Sequence, residues 1–256
     1  MARMMRERFK LLLVLACLSL GLTCGSGKQN STSAVKLEPD QVLQQMSKKL
    51  GSASQLTFRA SRRLDAALIE GREAPENAEL LVSVARPSKV LAKSTSDDGV
   101  RYFYADGEKV SLFDETMKLY TTVPLKGTID DIAIALDEKY GFTPPLIEFF
   151  VSDSYKKLSQ NFQSTSAKGE ELINGVNCYH LSIVGKVADS ELWVSIKDQL
   201  PCRLHATFKD RENNPTLQVD FSEWNLNPKL DERLFAFVPP KDAERIDMVT
   251  VNEIRK

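Results

Sequence analysis

Hydrophobic and polar positions change their spacing along this chain, and each change marks an element. Leu11 to Leu22 is nearly continuous apolar sequence. From Pro39 the spacing becomes helical, with Leu43, Met46 and Leu50 on one face, Pro39 opening the helix and Gly51 closing it. The period then drops to two. Leu56 to Ala60 alternates, Leu80, Val82 and Val84 share a face, and Val90–Thr95, Val100–Tyr104, Val110–Phe113 and Leu119–Val123 follow as short strands. Arg86-Pro87, Asp97-Asp98-Gly99, Asp106-Gly107 and Asp114-Glu115 supply turns between them. Asp-Gly between alternating runs is a strong hairpin signal, so an antiparallel meander is the expected arrangement.

Helical spacing returns at Thr128. Thr128 and Asp131 fit a capping box, ahead of an apolar stripe of Ile129, Ile132, Ala133, Leu136 and Tyr140. Pro144-Pro145 is expected to start a second helical stretch carrying Leu146, Phe149 and Phe150. Strands resume after Asn174-Gly175, at Val176–Val184, Leu192–Ile196 and Leu204–Phe208, then at Leu217, Val219 and Phe221. The tail ends on Trp224, Phe235, Phe237 and Pro239-Pro240. Helices inserted into a meander must bury their stripes on a sheet face, and a curved sheet accommodates them best. No repeat and no later linker breaks the pattern, so residues 37–256 are expected to form one domain.

The N-terminal pattern concerns destination. Arg3, Arg6, Arg8 and Lys10 precede the apolar run, and small residues follow it. That run is too short for a span, which takes about 20 residues, and has the form of an export signal over residues 1–23. Leu20-Gly21-Leu22-Thr23-Cys24 approximates the box in which a lipoprotein cysteine is acylated, although Gly21 and Thr23 depart from its usual residues. Residues 24–36 then read as a flexible polar tether. Cys17 lies too early in the apolar run to be the better acceptor. Ordinary cleavage near Gly25 or Ser26 is the other outcome, and the residues leave both open. The mature chain is expected to be exported to the periplasm, touching membrane only through an N-terminal lipid.

Charge narrows the partners. The whole chain has 34 Lys+Arg and 35 Asp+Glu; removal of residues 1–23 leaves 30 against 34, a net charge of −4 with the signs interspersed. Nucleic acid needs a basic face, which this balance does not supply. Cys178 and Cys202 could form a disulfide in an oxidising compartment. Alternation, however, points Cys178 outward, opposite Tyr179, Leu181 and Ile183, and Cys202 inward with Leu204, Ala206 and Phe208. Bridging opposite faces requires a bulge or a loop position at one end, which Pro201 could provide.

Catalytic chemistry finds little support. His180 and His205 fall on polar strand faces, in no metal-ligand spacing, and no phosphate loop or nucleophile elbow is present. Asp130 and Asp131 are accounted for by a helix's first turn. Arg62-Arg63 reads as solvated strand cations or as a partner for a lipid phosphate. No metal and no cofactor is called for. What stands out is apolar: Phe58, Phe103, Phe113, Trp193, Phe208 and Phe221 all lie on strands. Singly each is core; as a set on a curved sheet they could line a cavity for an acyl chain.

Several pieces in order carry a resemblance. They include Arg101-Tyr102-Phe103-Tyr104-Ala105-Asp106-Gly107, Gly127-Thr128-Ile129-Asp130, Gly175-Val176-Asn177-Cys178, Trp224-Asn225-Leu226-Asn227-Pro228 and Phe235-Ala236-Phe237-Val238-Pro239-Pro240. The chain resembles a family of predicted periplasmic proteins with the lipoprotein-carrier (LolA/LolB-like) fold. The resemblance implies an α+β fold, a single curved antiparallel sheet forming an unclosed half-barrel with helices plugging its concave face. It implies no activity of its own. Two functions fit: a non-catalytic envelope protein holding a lipid or a lipoprotein acyl chain, or an envelope protein-interaction or sensor module on the same fold.

Overall fold

The alternating runs assemble into one wide sheet. The computed structural model describes residues 38–69 and 71–254; the expected signal 1–23, the tether 24–36 and Cys24 lie outside them. Helix α1 (Pro39–Gly51) leads into β1 (Gln55–Leu64), β2 (Glu76–Ala85), β3 (Lys89–Ser96), β4 (Gly99–Ala105), β5 (Lys109–Asp114) and β6 (Leu119–Pro124). Helices α2 (Ile129–Tyr140) and α3 (Ser154–Ser159) follow, then β7 (Phe162–Ile173), β8 (Val176–Gly185), β9 (Ala188–Ser195), β10 (Pro201–Phe208) and β11 (Thr216–Asn225). A short β12 (Glu244–Arg245) and α4 (Val251–Ile254) end the described chain. The strand order is β12-β6-β5-β4-β3-β2-β1-β11-β10-β9-β8-β7, so two meanders meet where β1 pairs with β11. Among the described residues, only the β12–β6 pairing is parallel. The sheet is curved and unclosed, with helices packed on it.

Register converts sequence alternation into rows across the concave face. One row runs Leu56, Val84, Val90, Ala105, Val110, Val123, all of them buried. The next runs Phe58, Val82, Ala92, Phe103, Leu112, Thr121. The third, Ala60, Leu80, Ser94, Arg101, Asp114, Leu119, turns polar midway. Apolarity thus falls from one end of the strands to the other, and the plug follows it. Helix α1 contributes Val42, Leu43, Met46 and Leu50 to the core, and α2 contributes Ile129, Ile132, Ala133 and Leu136. The capping box forms as its residues require: the Thr128 hydroxyl accepts from the Asp131 N–H, and the Asp131 carboxylate from the Thr128 N–H.

The stretch after Pro144-Pro145 departs from expectation. It makes only a 3-10 turn, Ile147–Phe149, because Leu146 has φ +63° and breaks helical geometry. Leu146, Ile147, Phe149, Phe150 and Val151 are nonetheless buried. Arg86, at the end of β2, fixes this turn to the sheet. Its guanidinium donates to the carbonyls of Ala53 at 3.1 Å, Phe150 at 2.8 Å, Val151 at 3.1 Å and Leu50 at 3.4 Å. Burial lowers its pKa from the usual arginine value, and the nearby Asp130 carboxylate opposes that shift.

The convex face carries the disulfide. Cys178 lies there, opposite in phase to Leu181 and Ile183, and Cys178 is bonded to Cys202. Cys202 does not follow the inward phase of Leu204 and Ala206 expected from alternation. The β9–β10 register slips between Pro201 and Arg203, and this bulge turns Cys202 into the cluster of Ile173, Cys178 and Trp193.

Two stability effects are expected from these contacts. Arg86→Ala takes the guanidinium from the carbonyls of Ala53, Phe150 and Val151, while Leu50 keeps the Ala53 N–H, and denaturant titration is expected to show a loss of at least ~2 kcal/mol. Arg86→Lys restores only part of it, since an ammonium cannot span all four acceptors. Cys202→Ser opens a loop of sequence separation 24, for which chain entropy gives a loss of about 3.5 kcal/mol under oxidising conditions. That difference should vanish when both proteins are titrated in reductant.

Candidate functional site

The plug covers the most apolar row completely and leaves a gap over its neighbours. The gap is a cavity of about 370 Å³. Its sheet wall is built from Leu80, Ala92, Phe103, Leu112, Leu119 and Thr121, side chains of the second and third rows on β2 to β6. Its opposite wall is Phe142, Pro144, Pro145 and Phe150, from the chain between α2 and α3. Ala92 is small where both its row neighbours, Val82 and Phe103, are larger, which leaves room in the middle of the wall. Phe142 stacks across the gap on Phe103 at 6.5 Å. Met117 and Ile246, both exposed, stand at the margin.

Five charged residues line this cavity; Lys93 turns its ammonium over the Tyr102 ring, and the other four mark the polar end. Arg62 and Arg63 are adjacent in β1, so alternation sends them to opposite faces. Arg62 points to the concave side and pairs with Glu76, while the exposed Arg63 meets only Asn77. Glu76 is 5% exposed. Arg101 reaches Asp114, its cross-strand neighbour, at 3.0 Å and lies 3.9 Å from Glu76. Arg62, Glu76 and Asp114 are largely buried, and Arg101 is half-exposed. Together they form a charge-balanced edge of two guanidiniums and two carboxylates beside an apolar hollow. Arg62 was expected to be solvated or to meet a lipid phosphate; the pairing with Glu76 reflects its phase in β1, which also carries Phe58 and Ala60 inward.

The six aromatics expected on one cavity wall are distributed over both faces. Phe103 lies in the wall. Phe113 borders the cavity, but it alternates with Leu112, and its ring stacks on Tyr102 and packs against Phe237. Phe58 and Phe221 are packed solid instead of lining space: Phe58 stacks on Trp224 at 4.4 Å, and Phe221 meets the edge of Phe149 at 4.8 Å. Trp193 is on the convex face, because its neighbours Leu192 and Val194 take the core positions. It is sandwiched there between His180, stacked at 4.3 Å, and the Arg203 guanidinium at 6.0 Å, and its indole N–H donates to Glu171. Phe208 sits half-buried at the end of β10, opposite Ala188. The walls that sequence reasoning missed, Leu80, Leu112, Phe142 and Phe150, were visible only as apolar residues of ordinary core spacing.

Among the described residues, no group of three His, Cys, Asp or Glu side chains is placed to hold a metal ion. Asp130, one of the first-turn carboxylates of α2, instead accepts from the Ser152 N–H at 3.0 Å and its hydroxyl at 2.8 Å, tying α2 to the end of the plug.

Residues 39–249 match the family model described as "Predicted periplasmic protein (DUF2092)". No curated protein matches the chain. Among solved structures, the chain is similar to an uncharacterized conserved protein from Thermus thermophilus, at 13% identity and TM-score 0.48, covering 80% of this chain and 96% of that one. It is similar to the Mycobacterium tuberculosis lipoprotein LppX at 13% identity and TM-score 0.42, covering 74% and 98%. A LolA superfamily protein from Nitrosomonas europaea aligns at 11% identity and TM-score 0.35, covering 79% and 99%.

The plug also holds a titratable group. Burial raises the pKa of Glu148, in the 3-10 turn, against the opposing effects of its backbone hydrogen bond and of Lys157. The folded state therefore favours the protonated acid. Its stability is fully present below the unfolded carboxylate pKa and declines as pH rises through the folded one. Glu148→Gln removes the ionisation, so thermal melts near neutral pH should show the variant more stable than the parent. The difference should close at about pH 4, where the parent carboxyl is protonated.

Proposed function

The chain belongs to the family of predicted periplasmic proteins (DUF2092), and we propose that it is a non-catalytic envelope protein that holds one acyl chain in its concave cavity. The observation that carries this reading is the pairing of an apolar hollow of about 370 Å³ with a charged edge, on a sheet otherwise closed by its plug. At roughly 30 Å³ per water-sized group, this volume takes on the order of a dozen methylenes. One chain fills it, and the several chains of a complete lipoprotein anchor do not fit together. Burying a dozen methylenes at ~0.8 kcal/mol each supplies on the order of 10 kcal/mol gross, from which the cost of association is drawn.

A protein-interaction role needs a free sheet edge or an exposed apolar patch. The sheet ends at β12, only two residues long, and at β7, whose register slips between Phe162 and Ser164 and between Ala167 and Gly169 and which carries Lys168, Glu170 and Glu171. Bulges and charges of this kind blunt strand addition. The cavity is the better supported site.

Native mass spectrometry of protein purified gently from cell envelopes is expected to show a bound lipid mass. Ala92→Phe, which fills the middle of the sheet wall, should weaken binding of an apolar fluorescent probe by about tenfold while leaving the melting temperature near that of the parent. Lipid-free protein that also fails to bind the probe would overturn the reading.

A further inference from the structure

The charged edge of the cavity specifies more than an apolar occupant. Resting on the acyl-chain reading above, we infer that the occupant is a single-chain phospholipid with a zwitterionic head, a phosphate and an ammonium on one acyl chain. Register places the head: Arg101, Asp114 and Ser94 follow Leu80 along the third row, one row beyond Ala92, Phe103 and Leu112. A chain lying against Phe103 and Leu112 therefore directs its polar end to Arg101 and Asp114. Arg62 and Glu76 close the same edge.

The charges select the head by their balance. Lys93 also borders the lining, but it is out of phase with Ala92 and Ser94, and its ammonium sits over the Tyr102 ring at 5.6 Å. The two guanidiniums and two carboxylates that are in phase sum to zero, and they alternate: Arg62 on Glu76, Glu76 3.9 Å from Arg101, Arg101 3.0 Å from Asp114. A simple anion drawn to Arg101 also meets Asp114 and Glu76, whose like charge opposes it. A cation on Asp114 meets Arg101 in the same way. An uncharged glycerol head adds no charge-assisted bond. A zwitterion sets its phosphate on Arg101, the half-exposed and therefore accessible guanidinium, and its ammonium on the carboxylates beside it. The volume points the same way, since about 370 Å³ houses one acyl chain of on the order of a dozen methylenes.

Competition for the envelope-purified, delipidated full chain tests this. The competitors share one acyl chain: lysophosphatidylethanolamine, lysophosphatidylglycerol, the free fatty acid and the monoacylglycerol, with two-chain phosphatidylethanolamine as a fifth. The zwitterionic lysolipid is expected to bind at least about tenfold tighter than each of the others, with a preference that shrinks as salt rises. Arg101→Gln should remove that preference, bringing the zwitterionic lysolipid to the affinity that the same variant shows for the monoacylglycerol, and an unchanged far-ultraviolet circular dichroism spectrum shows that the variant is folded. Asp114→Asn should lower the preference as well. Equal binding of the lysophosphatidylglycerol or the fatty acid would overturn the inference, as would equal binding of the monoacylglycerol or stronger binding of the two-chain lipid. Each of those results leaves the acyl-chain reading standing. Failure of all five lipids together with the apolar probe sinks both.

Discussion

One half-buried guanidinium sets the position of everything that covers this sheet. Arg86 comes from the end of β2, and its acceptors are the last turn of α1 at Leu50, the link at Ala53 and the plug at Phe150 and Val151. These segments share no regular hydrogen-bonded ladder. The carbonyls of Ala53, Phe150 and Val151 would otherwise be left without this donor at an apolar boundary, a cost that a single five-donor side chain removes. Arginine suits the task because its charge survives burial, even with its pKa lowered. Asp130 supports the arrangement from two sides, facing the guanidinium electrostatically and holding Ser152. An open sheet has no closure to fix its contents, so this clasp does what a completed barrel does by geometry.

The clasp also explains why a hollow exists. It pins the plug near the ends of β1 and β2, over the row of Leu56, Val84 and Val90, where coverage is complete. Farther along the strands the covering chain is Phe142 to Pro145, a segment with two consecutive prolines that cannot continue α2. It bridges the sheet without filling the space above Ala92. The cavity is thus the difference between a wide concave surface and a plug too short to cover it. Its polar boundary arises because the same strands change from apolar to charged at Arg62, Glu76, Arg101 and Asp114.

Much of this was legible from spacing alone. Alternation in β1 to β6 identified the meander, and Thr128 with Asp131 identified the start of α2, because both signals are local. The cavity was not legible in the same way. Phe58, Phe103 and Phe221 share the inward phase, yet only Phe103 meets open space; which inward aromatic is packed depends on Phe149 and Trp224, distant in sequence. Trp193 was misplaced because Leu192, Trp193 and Val194 are all apolar, and a continuous run has no phase. Cys202 was misplaced because a bulge resets phase, and Pro201 signals only that one is permitted. The strand β7 escaped because an edge strand exposed along most of its length carries few apolar markers.

The two halves of the sheet solve the same problem by different means. The β1–β6 half is weighted down from inside by helices and the Arg86 clasp. The β7–β11 half buries Leu181, Ile183, Leu192, Val194 and Val219 in the same core and meets α1 through Thr165 and Gln199. Its convex face is reinforced in addition by the Cys178–Cys202 bond across β9 and by Trp193 held between His180 and Arg203. A second, smaller apolar cluster with Ile173 forms on the outside. That division keeps the covalent reinforcement away from the cavity. The half that carries the hollow is held by hydrogen bonds, ion pairs and packing, interactions that can yield locally and reform, as the proposed admission of an acyl chain requires.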